Sequence, residues 1–451
     1  MTPLPRPRRT AHGTVRTAPF TGDETLPAQS EVVVIGGGIN GVIAAWHLAR
    51  EGVPVLLCEK AEIGCEASGR AFGWISELML DPCKMELCRA SKAGWAELQR
   101  EVGETGYRVE GLCYLAADQA ELDQFAGWLD SVHGTGAADS LLLTAGAVRE
   151  RFPAATTPWA GGLYAPSDGS AEPQLAAPTI AAAARRGGAR IVTQCAVRGL
   201  ERANGRVSAV ITERGVVRTS KVICATNAWS RFFLGNLGID VPQLWVMMSM
   251  GCIGPLDGGP VGCGGRNEWA WRRQIDGGYS LGGLGGQRFP VTRDSIRLFS
   301  RFVPILKVER PFLKLSFGPE ARRDWRMARH WKLDAPAPFE TVRILEPEVD
   351  RSRAQLSLRQ LGAEFPSFRR ASVTEAWSGV ITVTPDNLPI ASAVERVPGL
   401  FLITGCAYGL TWAPALARLV VDELLGRAPA LDARPYRLGR FFDGSPLHVT
   451  H

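Results

Sequence analysis

What the sequence lacks narrows it first. No stretch of about 18 consecutive apolar residues occurs, so no helix that spans a membrane is expected. The ten Cys form no Cys-x-x-Cys pair and no ladder of paired spacings. A disulfide framework is therefore not expected, and the thiols read as reduced and mostly buried, as in a cytoplasmic protein. His is scarce, with six residues, and no metal is expected because no ligand spacing stands out. Lys is scarce too: 7 of the 51 basic residues, the rest being Arg. The Arg are dispersed among acids, and no basic stripe with interleaved aromatics occurs outside Arg6-Pro7-Arg8-Arg9. No nucleic-acid partner is expected. There is no internal repeat and no Gly-X-Y period, although Gly is abundant at 50 residues.

What is present fits a globular enzyme. Hydrophobic residues make up 45% and charged residues 21%, which excludes wholesale disorder. A length of 451 residues exceeds one typical core, so two domains are expected. The Pro-, Arg- and Thr-rich stretch 1–27 reads as a flexible tail; Arg8-Arg9 has no apolar segment after it of the kind a secretion signal needs.

The strongest signal follows. Glu31-Val-Val-Val-Ile35 is a β-branched run that ends in Gly36-Gly37-Gly38-Ile39-Asn40-Gly41. A helical stretch from Val42 to Glu51 comes next, then a strand, Val53–Cys58, ending at Glu59. A tight turn needs Gly36, backbone approach to a pyrophosphate needs Gly38, and close strand–helix packing needs Gly41. The helix start favours phosphate charge. A carboxylate at Glu59 accepts from ribose hydroxyls and repels a 2′-phosphate. This unit fits NAD or FAD. The Gly/Ser/Arg loop Gly64–Gly73, where an NAD dehydrogenase would normally turn into a helix, favours FAD.

The chain resembles the D-amino-acid oxidase superfamily of flavoproteins, in the look of its sarcosine oxidase, glycine oxidase and γ-glutamylputrescine oxidase branches. Four separated pieces between Glu31 and about Arg427 carry the likeness. They are the fingerprint through Glu59, Glu66-Ala-Ser-Gly-Arg70, Val222-Ile-Cys-Ala-Thr-Asn-Ala-Trp229, and Trp377 to Asp386 with Leu388-Pro-Ile390, Thr404-Gly405 and Gly409. The resemblance implies an α/β fold: a Rossmann-like FAD-binding domain with a second, sheet-rich (α+β) substrate domain. The expected boundaries are 28–105, 150–235 and 372–430 for the discontinuous FAD domain, and 106–149 and 236–371 for the substrate domain, with 431–451 a C-terminal tail.

By the same resemblance, Gly36, Gly38, Ile39, Asn40 and Gly41 hold the pyrophosphate and Glu59, beside Lys60, the ribose. Ser68, Gly69, Arg70 and Ala71 line the flavin side, and Val197 meets the adenine. Ala225, Thr226, Asn227 and Trp229 border the pyrophosphate or ribityl chain. Asp386, Gly405, Gly409, Leu410 and Thr411 approach the ribityl and pyrimidine edge. The family's tethering Cys is replaced by Gly379, and its tethering His position holds Ala71 and Phe72, so FAD is expected to be non-covalent. Ile381 stands where glycine oxidases carry a carboxylate-binding Arg, which argues against their mode of substrate binding.

The reaction implied is oxidation of a C–N bond in an amino acid or secondary amine, by hydride transfer to flavin N5, giving an imine. Electrons then pass to oxygen or to a quinone-type acceptor. Such chemistry asks mainly for positioning. Arg272, in Trp269-Ala-Trp-Arg-Arg-Gln274, is the expected carboxylate clamp, although strand alternation leaves Arg272 and Arg273 on opposite faces. Tyr408 is expected to shape the pocket, and His330 to supply a base or a hydrogen bond. Two alternatives stand beside this reading: an FAD-dependent 2-hydroxy-acid dehydrogenase, and a flavin-binding subunit that acts with a partner chain.

Overall fold

The computed structural model describes residues 3–135, 139–283, 287–309 and 313–449. The run after Glu31 forms β1 (Val32–Ile35), and α1 (Ile39–Arg50) and β2 (Val55–Cys58) complete the βαβ unit. Further along, α2 (Pro173–Arg186) leads into β3 (Arg190–Val192), and β4 (Lys221–Cys224) follows. Pro173 opens α2 where a missing N–H costs nothing. The chain returns to this domain with β5 (Ile390–Ala393), β6 (Leu400–Thr404) and α3 (Gly409–Leu424).

These strands form one sheet of order β3-β2-β1-β4-β6-β5. It is parallel except for the β5–β6 pair. A parallel sheet is covered on both faces, which is why its strands read as continuous apolar runs. Val32, Val34, Val55 and Leu57 pack with α1, α2 and α3. Val33, Ile35, Leu56 and Cys58 face the other way, against Val197, Leu200 and Val210 of a three-stranded meander.

The second domain is built on a ten-stranded sheet. Its long strand Leu244–Ile253 pairs antiparallel with Glu375–Val383, from Leu244↔Val383 to Cys252↔Glu375. This pairing joins the two domains, because Glu375–Val383 leads directly toward β5.

Four of the expected boundaries need correction. Glu375–Val383, expected in the FAD domain, belongs by its pairing to the large sheet. Gly161–Ala165 pairs with Leu112–Ala116 and so belongs to the large sheet, not to the FAD domain. Residues 1–27 are not a free tail. Arg8–Thr10 and Gly13–Val15 pair as a hairpin, and Arg16 is buried, ion-paired to Glu375 and lying 3.5 Å over the Trp377 ring. Further along, Ala18 N–H donates to Gln174 O. Nor is 431–451 a tail along its described length: Tyr436, Leu438 and Arg440 are buried. The composition of both ends reads as solvated. Cation–π and ion-pair partners distant in sequence bury their Arg side chains instead.

Candidate active site

A cavity of about 390 Å³ runs along the carboxyl ends of the parallel strands and under the large sheet. Ligands of open α/β sheets bind at such a crevice. One end is built by the β1–α1 turn. Gly36 has φ +104°, and a Cβ there would stand 2.7 Å from Ala225 O. A Cβ on Gly41 would stand 1.9 Å from Gly36 O, so only glycine lets α1 lie against the turn. No side chain caps α1 at Gly38, and its first turn holds no acid. The N–H of Ile39 is met by Ser68 Oγ at 2.9 Å. Asn40 Oδ1 is buried without a hydrogen-bond partner.

Glu59 closes this end. Its carboxylate accepts from Gly37 N–H at 2.7 Å and Ala61 N–H at 2.8 Å, which fixes its orientation. Burial pushes its carboxyl above the usual range; Lys60 and the two N–H groups oppose that. Ribose hydroxyls donating to it would add the missing solvation. The glycine cradle, the orphaned Asn40 oxygen and the desolvated Glu59 together fit a dinucleotide.

Most of the expected contacts converge here. Gly36, Gly38, Ile39, Asn40, Glu59, Lys60, Ser68, Arg70, Ala71, Val197, Ala225, Thr226, Asn227, Trp229, Gly409, Leu410 and Thr411 all line the cavity. Arg70 is buried and donates to the carbonyls of Cys65, Ser378 and Thr14, so it holds the loop rather than a ligand charge. Lys60 bonds Glu66 at 3.0 Å and stands 4.4 Å from the Trp229 ring. At the far side α3 begins at Tyr408 with no side-chain cap, so its N–H groups give the cavity a positive helix end.

Other expected contacts fall outside the cavity lining. Gly41 and Gly69 are close-packing positions behind it. A Cβ on Gly405 would meet Thr384 Cγ2 at 2.6 Å. Asp386 is 1% exposed and bound by Arg440, with Nε to Oδ2 at 2.7 Å and Nη2 to Oδ1 at 3.0 Å. It therefore fixes the turn that places Asn387 on the cavity wall.

The catalytic expectations need larger corrections. Arg272 is fully buried and does not line the cavity. It pairs with Glu172 at 2.8 Å and donates to Phe72 O at 2.7 Å and Ser280 Oγ at 3.1 Å. Its charge is already matched, so it is not the substrate clamp. Arg273 is exposed. His330 is exposed and lies outside the cavity lining. Tyr408 does line the cavity while keeping 39% of its surface exposed.

The structure adds groups that the sequence reading did not assign to the walls of the substrate end. Phe72, Trp74 and Tyr114 form an aromatic wall, with ring centroids 5.1 Å and 5.9 Å apart in edge-on pairs. Arg266 lines the cavity beside them, since the preceding Gly265 is in register with Tyr114, and it is ion-paired with Glu121. An apolar chamber is lined by Met248, Phe289, Phe302, Ile305 and Ile381. Phe72 lies in the Gly/Ser/Arg loop and Trp74 follows directly on it, which was the available signal. The rest come from strands distant in sequence and from the helix Phe299–Glu309, which carries Phe302 and Ile305, and gave none.

Residues 31–423 match the family model described as "DAO: FAD dependent oxidoreductase". The chain belongs to this FAD dependent oxidoreductase family. Members of this family are FAD dependent oxidoreductases, and the glycine cradle and Glu59 fit the dinucleotide. The chain superposes on the L-amino acid deaminase of Proteus myxofaciens, solved with anthranilate, with a TM-score of 0.91 at 33% identity, covering 95% of this chain and 97% of that one. It is 28% identical over 422 residues to the glycine oxidase of Pseudomonas aeruginosa, covering 90% of this chain and 97% of that protein. It is 24% identical over 430 residues to the mitochondrial dimethylglycine dehydrogenase of Homo sapiens, covering 94% of this chain and 46% of that protein. The flavoenzyme thus spans about half the length of the dimethylglycine dehydrogenases it matches. Among the described residues, no helix is long and apolar enough to cross a membrane and no group of His, Cys, Asp or Glu could hold a metal ion.

Proposed function

We propose that this flavoenzyme oxidises the Cα–N bond of an amino acid with a large apolar side chain. The product is an imine, which water hydrolyses to a 2-oxo acid and ammonia. The observation that carries this reading is the apolar chamber of Met248, Phe289, Phe302, Ile305 and Ile381, which shares one cavity with the dinucleotide end. Likeness to an L-amino acid deaminase along 95% of the chain supports it. FAD bound non-covalently supplies the hydride acceptor, at N5.

The residues of this chain do the positioning. Burying an apolar substrate side chain in the chamber contributes roughly 1.5–3 kcal/mol. The aromatic wall of Phe72, Trp74 and Tyr114 confines the reacting carbon and excludes water. Arg266, on that wall, takes the clamping role that Arg272 cannot, exchanging part of its pairing with Glu121 for the substrate carboxylate. A charged hydrogen bond of this kind is worth about 1.5–3 kcal/mol.

Product analysis tests the reading. Phenylalanine and leucine should yield ammonia and a 2-oxo acid, whereas sarcosine and dimethylglycine should yield no formaldehyde. Formaldehyde from the N-methyl substrates, with no ammonia from the others, overturns it in favour of a secondary-amine dehydrogenase. Peroxide formed in air assigns oxygen as acceptor; turnover only with added quinone assigns the other class.

A further inference from the structure

A buried acid–base cluster adjoins the aromatic wall and has no part in the functions assigned above. Ser76 lines the cavity two residues beyond Trp74 and donates to Asp168 Oδ2 at 2.6 Å. Asp168 also accepts from Glu77 N–H at 3.1 Å and from Lys92 Nζ at 3.2 Å, the latter on the helix Met85–Val102. Lys92 in turn pairs with Glu77 Oε2 at 2.7 Å and donates to Ser167 Oγ at 2.7 Å. Asp168 is fully buried and Glu77 is 1% exposed. Glu77 Oε1 is buried with no hydrogen-bond partner.

The charge count is the physical point. Two carboxylates share one ammonium in a desolvated site, so the ionised cluster carries an excess negative charge that a proton would relieve. Burial, reinforced by Glu77 and opposed by Lys92, pushes the Asp168 carboxyl up to about 6. Titratable neighbours include Asp139, which accepts from Ser167 N–H at 2.8 Å, together with Cys88, Tyr107 and Tyr114. Burial pushes the last three up, so they stay neutral near pH 7. A carboxylate poised just below working pH is suited to accept a proton.

We propose that Ser76 and Asp168 form the proton exit for the substrate's ammonium group. The substrate N–H bond breaks as Ser76 Oγ takes that proton, and Ser76 passes its own proton to Asp168 Oδ2. The result is a neutral amine and a protonated Asp168, with no change in oxidation state. Ser76 is the group that touches substrate; Asp168 acts through it, and Lys92 and Glu77 hold Asp168 in position. The inference rests on the amino-acid reading above, because only an amine nitrogen arrives carrying such a proton.

The test is anaerobic rapid mixing of the holoenzyme with an amino acid it oxidises, from about pH 5 to about pH 9. Wild type should lose bleaching rate as pH falls through about 6, where Asp168 is already protonated. Ser76→Ala and Asp168→Asn should slow bleaching by about 10²-fold near pH 7.5 and abolish that acid limb. An infrared difference spectrum gives a second readout. Binding an α-methyl amino acid, which has no α-hydrogen to lose, should raise a protonated-carboxyl C=O band in wild type and in neither variant.

Ser76→Ala leaves the Lys92–Asp168 pair intact, so a folding defect in Asp168→Asn does not remove the test. If wild type bleaches with amino acids but Ser76→Ala keeps the wild-type rate and acid limb, the relay is overturned and the amino-acid reading stands. Absence of the carboxyl band in wild type overturns the relay as well. If no amino acid bleaches wild type, both fall.

Discussion

Arg440 joins the last segment of the chain to the wall of the FAD cavity, and its removal has a calculable cost. Its guanidinium donates to Asp386 at 2.7 and 3.0 Å, to Leu388 O at 2.9 Å and to Arg437 O at 3.1 Å. Both members of the ion pair are at most 5% exposed. Substituting Arg440→Met keeps much of the apolar stem and removes the guanidinium from the buried Asp386 carboxylate. Breaking a buried pair in this way costs about 3–5 kcal/mol. Thr384 Oγ1 and Leu388 N–H still donate to Asp386 at 3.0 and 3.2 Å, so the lower end, about 3 kcal/mol, is expected. That is a large share of a total stability of about 5–15 kcal/mol. The double variant Arg440→Met/Asp386→Leu removes both charges and should recover more than half of the loss. Urea unfolding of the holoenzyme, followed by Trp fluorescence, measures both. A loss under about 1 kcal/mol for Arg440→Met, or a double variant less stable than the single one, would refute the claim that this pair ties the segment to the FAD domain.

Other outcomes follow from the same geometry. Gly41→Ala forces α1 away from Gly36 and should weaken FAD binding at least about tenfold in titrations of the apoprotein, equal to about 1.4 kcal/mol. Gly127→Ala, where a Cβ meets nothing within 4 Å, should leave it unchanged. His47 is buried, and burial with help from Arg418 lowers its pKa from 6.5 to about 4. Its contribution is complete above about 6.5 and lost as pH falls through about 4, a change of about 3 kcal/mol that His47→Leu should remove from urea melts run across that range. Acid precipitation should release a yellow supernatant, and flavin held in the denatured pellet would contradict non-covalent binding. Arg266→Met should raise KM roughly 10–100-fold and leave kcat within a few-fold, as removal of ground-state binding does.

The dinucleotide end was legible in the sequence because its physics is local. Strand, glycine turn, helix and Glu59 lie within about thirty residues, and each residue type answers to one backbone or charge requirement. The substrate end was not, because its walls are assembled from elements distant in sequence. Arg272 illustrates the reason. Alternation separates inside from outside only where one face of a strand is solvated. The strand Ala270–Arg273 is buried through Arg272, so both Trp271 and Arg272 point inward, and Glu172, a hundred residues away, neutralises the Arg. Asp386 was misassigned for a similar reason: the Arg that occupies it lies 54 residues on, in a stretch whose composition resembles a tail. Arg16 repeats the pattern at the other end, buried against Trp377.

Anaerobic mixing of the oxidised holoenzyme with matched panels of amino acids and 2-hydroxy acids, followed in the visible flavin band, tests the central claim most directly. Bleaching by amino acids with large apolar side chains, and not by the 2-hydroxy acids of the same side chains, is the predicted result. Bleaching by the 2-hydroxy acids alone would contradict it.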